Sequence, residues 1–181
     1  MPRAIFIDNC AFDRLFELGL DLAQIGGDEF RFYVTGEVLI EIDAIPDTKE
    51  KEEKKRWISR VARSEIVAET GYFGFAEDPN AYGFDQGFLA DLSQVEYLTE
   101  TTAELGPARP TGLPRNHTDR LLLSHAIIWA VLTDEARLGN GTLMSLALER
   151  GATVIRMRDF DSENESFTEF LRRHFPAENA Q

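Results

Sequence analysis

The chain has 181 residues, 43% of them hydrophobic and 28% charged, which suits one well-buried domain and leaves no room for two comfortable ones. Its 19 Lys and Arg against 32 Asp and Glu give a net charge of −13, which disfavours a protein that coats nucleic acid through a basic surface. The same acidity fits plain solubility, or an enzyme that cuts nucleic acid with metal ions, whose cations neutralise an acidic site. No apolar run approaches the ~20 residues needed to cross a bilayer, and the start of the chain has no long apolar segment of the secretory kind. Cys10 is the single cysteine, so no internal disulfide forms, and three His with one Cys are too scattered for a zinc site of the usual spacing. A cytoplasmic protein is expected.

Ala4-Ile5-Phe6-Ile7 is a short β-branched and aromatic run that stops at Asp8-Asn9. This is the pattern of a strand buried on both faces of a parallel sheet. Open α/β sheets bind ligands at the carboxyl ends of such strands, so Asp8 is either a chemical group or the cap of the next helix. Cys10 to Leu22 carries Phe12, Leu15, Phe16, Leu18 and Leu22 at helical spacing, with an end near Gly19. Gly26-Gly27-Asp28 is a turn, and Phe30 to Val34 is a second strand closed by Thr35-Gly36. Glu37 to Ile45 is a helix ended by Pro46, with Glu37 and Glu41 one turn apart. Glu41 either points toward the end of the first strand or belongs to a solvated face.

Thr48 to Arg63 mixes Lys and Glu around a narrow stripe of Trp57, Ile58 and Val61, as an exposed helix does. Its basic half, Lys54, Lys55, Arg56, Arg60 and Arg63, is the best candidate for a surface that tracks phosphates. Residues 64–115 are the least regular. Within them Glu65 to Thr70 reads as a strand, Asp78-Pro79-Asn80 and Tyr82-Gly83 as turns, Phe88 to Val95 as a short helix, and Gly106 to Pro114 as a loop. Phe73, Phe75, Tyr82, Phe84 and Phe88 either stack bases or form the small core of an insertion.

Regularity returns at Thr118, read as a helix cap, with Asp119 to Ile128 a largely buried helix. Trp129 to Leu132 is a second apolar run, and it ends at Thr133-Asp134-Glu135 much as the first ends at Asp8-Asn9. A helix through Leu143 to Leu148 stops at Gly151, Thr153 to Met157 is a final strand, and Ser162 to Phe175 is a closing helix. Strands alternating with helices imply an α/β fold with a mainly parallel sheet.

The acids then fall into a pattern. Asp8 and the Asp134-Glu135 pair follow buried strands, Asp119 opens the helix leading into the second of these, and Glu41 is the natural fourth. Neighbouring parallel strands would bring them to one edge, where unpaired carboxylates repel unless cations lie among them. Oxygen-only ligands select Mg²⁺ or Mn²⁺, and a pair of such ions can activate water and stabilise a leaving oxygen in phosphodiester cleavage.

On these residues the sequence resembles the PIN-domain nucleases. The matching stretches are IFIDNC, VLIEID on the second helix, TDRLLLSHA, VLTDEARL, and GATVIRMRDF as the last strand and its turn. They cover residues 1–63 and 115–175. The resemblance implies a single domain over 1–181, a parallel sheet of about five strands sandwiched between helices, and an insertion at 64–115 before the third acidic motif. It also implies endonucleolytic cleavage of RNA, less often DNA, by metal-activated water. Asp8, Glu41 and Asp119 would be ligands of Mg²⁺ or Mn²⁺, with Asp134 or Glu135 completing the set. The family's last motif is Thr-x-Asp, and here Glu135 fills its third position with Asp134 at x. Many bacterial members are toxins paired with a small antitoxin, so the expected partners are an RNA substrate and an antitoxin or a second copy of the chain. Asn9 and Thr133 would orient the carboxylates, Asn9 being equally a turn residue. His117 is either a phosphate contact or a bystander.

A haloacid-dehalogenase phosphatase would need an acid where Cys10 stands, and a nucleotide-binding domain a glycine-rich loop that is absent after the first strand. The rival from another class is a catalytically degenerate PIN-like domain acting as a protein-interaction module. Such a module has no reason to bind Mn²⁺ at this edge.

Overall fold

The computed structural model describes residues 2–25, 27–72, 87–136 and 138–175. Its strands are β1 (Arg3–Ile7), β2 (Phe30–Val34), β3 (Val67–Glu69), β4 (Gly71–Tyr72), β5 (Gly87–Phe88), β6 (Ala130–Thr133) and β7 (Thr153–Arg156). The helices are α1 (Asn9–Leu18), α2 (Leu22–Ile25), α3 (Gly36–Asp43), α4 (Glu52–Ala62), α5 (Leu92–Glu100), α6 (His117–Ile128), α7 (Gly141–Glu149) and α8 (Phe167–Arg172).

The main sheet has five strands, all parallel, in the order β3-β2-β1-β6-β7. β1 is central because its sequence tolerates no water: Ile5, Phe6 and Ile7 are fully buried, with Ile5 opposite Phe32 on one side and Ala130 on the other. A strand apolar on both faces needs helices over both. Helices α1, α3 and α4 pack on one another, and α5 and α7 both pack on α6. Right-handed crossovers running outward in both directions from the centre put these two groups on opposite faces. The fold is thus α/β, a parallel sheet flanked by helices.

The chain builds β1, β2 and β3 toward one edge, then returns across the sheet to β6 and β7. Strand order therefore reverses between β1 and β6, where the loops leaving the carboxyl ends diverge and leave a crevice. At the opposite, amino-end side of the sheet, α8 ties the chain down through Arg172 to Glu29 at 2.6 Å.

Several boundaries differ from those the periodicity suggests. The first helix ends at Leu18 because Gly19 adopts the left-handed conformation at φ 64, its N–H returning to the Leu15 and Phe16 carbonyls. Leu22 belongs to the separate short α2. The closing helix starts at Phe167, not Ser162, because Ser166 and Glu169 form a reciprocal capping box. In the same way Asp91 and Gln94 cap α5, so the predicted helix from Phe88 begins at Leu92 and Phe88 itself lies in β5. The region read as an insertion contributes β3 to the edge of the main sheet. Phe88 packs on Phe6, Tyr33 and Trp129, the core reading of that aromatic. Phe73, Phe75, Tyr82 and Phe84, with the turns at 78–80 and 82–83, lie outside the described residues. Among the described residues no helix is long and apolar enough to cross a membrane.

Candidate functional site

Asp8 follows β1 directly, and its N–H continues the sheet ladder to the Leu132 carbonyl at 2.9 Å, which seats it beside the end of β6. It is the N-terminal flanking residue of α1, yet its side chain makes no capping bond there. Instead Asp8 Oδ2 accepts from Thr133 Oγ1 at 2.7 Å and from the Cys10 thiol at 2.8 Å. Cys10 Sγ accepts from the Asp134 N–H at 3.2 Å, and Thr133 Oγ1 accepts from the Glu135 N–H at 3.1 Å. The start of α1 and the end of β6 are thereby joined around one carboxylate oxygen. Burial pushes the Asp8 carboxyl above its ordinary pKa, against the pull of those hydrogen bonds. Burial, and then the Asp8 charge, pushes the Cys10 thiol up as well.

Glu41 reaches the same edge from α3. Its Oε1 accepts from Thr118 Oγ1 at 2.8 Å and lies 3.4 Å from Arg109 Nη1. Thr118 is therefore not the helix cap. Asn116 takes that position, at φ 66, a left-handed geometry that Asn tolerates better than most residues. Asp119 lies in the first turn of α6, where the helix N-terminus favours negative charge. Gly139, at φ +68, packs against it so closely that an added Cβ would come within 3.3 Å of Asp119 Cβ. The loop after β6 thus needs glycine here to lie over the acid.

The acids act on one another. Burial first, then the charges of Asp8, Glu135 and Glu41, pushes Asp119 up to about 7, with Arg109 pulling the other way. Glu41 is raised by burial, with Asp8 and Glu37 adding to the effect and Thr118 and Arg109 opposing it. Glu135 keeps much of its side chain in solvent, yet it too is raised, by partial desolvation and then by Asp8 and Glu41, with Arg109 and Arg158 pulling the other way. Of the two candidates at the end of β6, Glu135 shares this field. Asp134 contributes to none of the three shifts; its carbonyl accepts from Arg158 Nε at 3.1 Å. Asp134 Oδ1 and Asn9 Oδ1 are buried without a hydrogen-bond partner among the described residues. His117 is the first residue of α6, two before Asp119.

No family model, no characterised protein and no solved structure matches this chain.

Donor chemistry bears on whether a metal fits. Asp8, Glu41, Asp119 and Glu135 offer only carboxylate oxygen, the set that suits Mg²⁺ or Mn²⁺. As the side chains are arranged, no three His, Cys, Asp or Glu among the described residues form a group that could hold a metal ion. Asp8 and Glu41 each have an oxygen engaged by a hydroxyl, so the acids share a field without sharing a common contact point.

Sequence reasoning passed over Cys10, Thr118 and Arg109 as parts of this site, and set Glu37 aside although it is buried one turn before Glu41. Cys10 and Thr133 meet across 123 positions of chain, a contact with no local signal. Of the basic residues on and just after α4, four pair with the protein's own acids, Lys54 with Asp13 and Glu17, Lys55 with Asp47, Arg56 with Glu52 and Arg63 with Asp43, while Arg60 is exposed.

Proposed function

We propose that this chain is a divalent-metal-dependent ribonuclease of the PIN-like kind. The observation that carries the reading is the shared field of four acids at the switch point of a parallel sheet: Asp8 raises the pKa of Glu41, Asp119 and Glu135, and Glu41 and Glu135 add to the rise at Asp119. Buried like charges are costly, and a fold that gathers them at a ligand-binding edge supports a role in holding cations. These four would hold Mg²⁺ or Mn²⁺, which when bound supplies Lewis acidity and positive charge for phosphodiester hydrolysis.

The chain's own groups have separate tasks in this reading. Thr133 and Cys10 orient Asp8, and Thr118 orients Glu41. Asp119, at about 7, carries a proton part of the time at neutral pH. Cation affinity should therefore rise with pH as that proton leaves. Single-turnover cleavage of a mixed-sequence RNA with Mn²⁺ is the test of activity. Asp8→Asn should lower the rate by at least ~100-fold while leaving the fold intact, and cleavage at the wild-type rate would remove Asp8 from the site.

A second reading, a degenerate PIN-like scaffold serving as a protein-interaction module, draws on two observations. No three acids close into a metal-holding group among the described residues, and Glu135 occupies the position where the family carries Asp. A wild-type protein without Mn²⁺ affinity would favour it.

A further inference from the structure

Two arginines border the acidic edge, and the fold places both with care. Arg109 rides on a hairpin-like loop in which the Gly106 N–H donates to the Arg115 carbonyl at 3.1 Å and the Arg115 N–H to the Pro107 carbonyl at 3.0 Å. Ala108 bridges Pro114, and the Arg109 N–H donates to the Leu113 carbonyl at 2.8 Å. Gly112 turns the tip at φ +85, a conformation that L side chains rarely adopt. Pro107, Pro110 and Pro114 stiffen the same loop, so the guanidinium is held out on a preorganised arm. Arg158 comes from the single turn Met157–Asp159 after β7, and its Nε donates to the Asp134 carbonyl.

Their position, one beside Glu41 and the other at the end of β6, separates them from the other basic residues. The four paired cations on and just after α4 are each bound to carboxylates away from the site. Arg109 is 46% exposed and meets Glu41 at 3.4 Å, longer than the usual ~2.7–2.9 Å of a charge-assisted bond, so it is poised over the acids and not locked to one. Arg158 is exposed and leans on a neutral carbonyl, and its charge acts on Glu135 without a direct ion pair among the described residues. In a chain of net charge −13, a polyanion needs such a local foothold.

We propose that Arg109 and Arg158 are phosphate-binding residues that seat a nucleic-acid backbone across the carboxylate edge. Coming from different loops, one leaning on Glu41 and the other on the end of β6, they suit successive phosphates of a strand better than a single free phosphate. The proposal deepens the nuclease reading above and names the part of the substrate that this chain recognises, its sugar-phosphate backbone.

The test is binding of a fluorescent mixed-sequence single-stranded RNA, with Ca²⁺ present, followed by anisotropy across a range of salt. Arg109→Gln and Arg158→Gln should each weaken binding by about 3- to 10-fold and make the slope of log K against log salt shallower by about 0.7, the double variant by about 1.4. Lys54→Gln on α4 should leave both quantities unchanged. An unchanged salt slope in the double variant, or no RNA binding by the wild type, would overturn the proposal. The two readings fail separately. Shallower slopes in a protein that binds no Mn²⁺ would sink the metal reading and keep the arginines, and Mn²⁺ binding with unchanged slopes would do the reverse.

Discussion

Two buried ionisable places in this molecule are built from the same two elements, β1 and α6, and have opposite characters. At the carboxyl edge these elements present Asp8 and Asp119. Further along α6, His125 lies between Phe6 of β1 and Tyr72, with ring centroids 4.1 and 4.3 Å away. Burial disfavours the charged form in both places. The imidazole meets this by staying neutral, its pKa pushed down to about 3 by burial alone. The carboxylates are pushed up instead, Asp119 to about 7, and they repel one another whenever more than one is ionised. The aromatic stack holds a neutral ring, its Nδ1 buried without a hydrogen-bond partner among the described residues, whereas the acidic edge leaves negative charge for something else to neutralise. That difference is what separates a packing solution from a candidate binding site.

The two places also impose opposite pH dependences. A raised carboxyl pKa means the native state keeps its proton longer than the unfolded chain, so stability falls as pH rises from about 4 to 7. A depressed imidazole pKa means the unfolded chain takes up a proton that the native state refuses, so stability falls as pH drops below about 6.5.

The largest stability effect belongs to the edge. Asp119→Asn should stabilise the fold by about 3 kcal/mol at pH 8 in urea unfolding, with the gain shrinking toward pH 4 as both proteins become neutral at that position. Destabilisation at pH 8 would mean that the carboxylate is satisfied from within, and the comparison would break. Next comes the stack. Between pH 7 and pH 5 the wild type should lose about 2 kcal/mol that His125→Phe retains, measured by the same unfolding. Equal acid sensitivity in the two proteins would show that His125 is not refusing its proton. The smallest effect sharpens the edge itself. Thr133→Val removes one hydrogen bond from Asp8 and leaves the Glu135 N–H without its acceptor, so it should cost about 1–2 kcal/mol and weaken Mn²⁺ binding about 10-fold. Unaltered Mn²⁺ affinity in a folded Thr133→Val protein would reduce the threonine to a structural part.

Much of the sheet is legible in the sequence, and the reason is physical. A parallel strand buried on both faces must be a short apolar run, and Ile5-Phe6-Ile7 and Val131-Leu132 have no polar residue to place. Both ends are marked by the first acid the chain reaches. What the sequence leaves open turns on single positions or distant contacts. Asp134 and Glu135 are neighbours, and only the local path of the backbone decides that Glu135 joins the field of Asp8. Thr118 looks like a cap because hydroxyls often cap helices, yet its hydroxyl is committed to Glu41, 77 positions away. Arg109 sits in a proline-rich loop whose only local message is a turn. The capping boxes at Asp91 and Ser166, by contrast, are visible as local patterns and set helix starts that apolar periodicity alone misplaces.

The most direct measurement is Mn²⁺ binding by titration calorimetry on the wild type and on Asp8→Asn, at a pH on either side of the Asp119 transition. The account predicts that the wild type binds, more tightly at the higher pH as the Asp119 proton is lost, and that Asp8→Asn, folded and with an unlowered melting temperature, does not bind. Absent binding by the wild type, or equal binding by the variant, would contradict it.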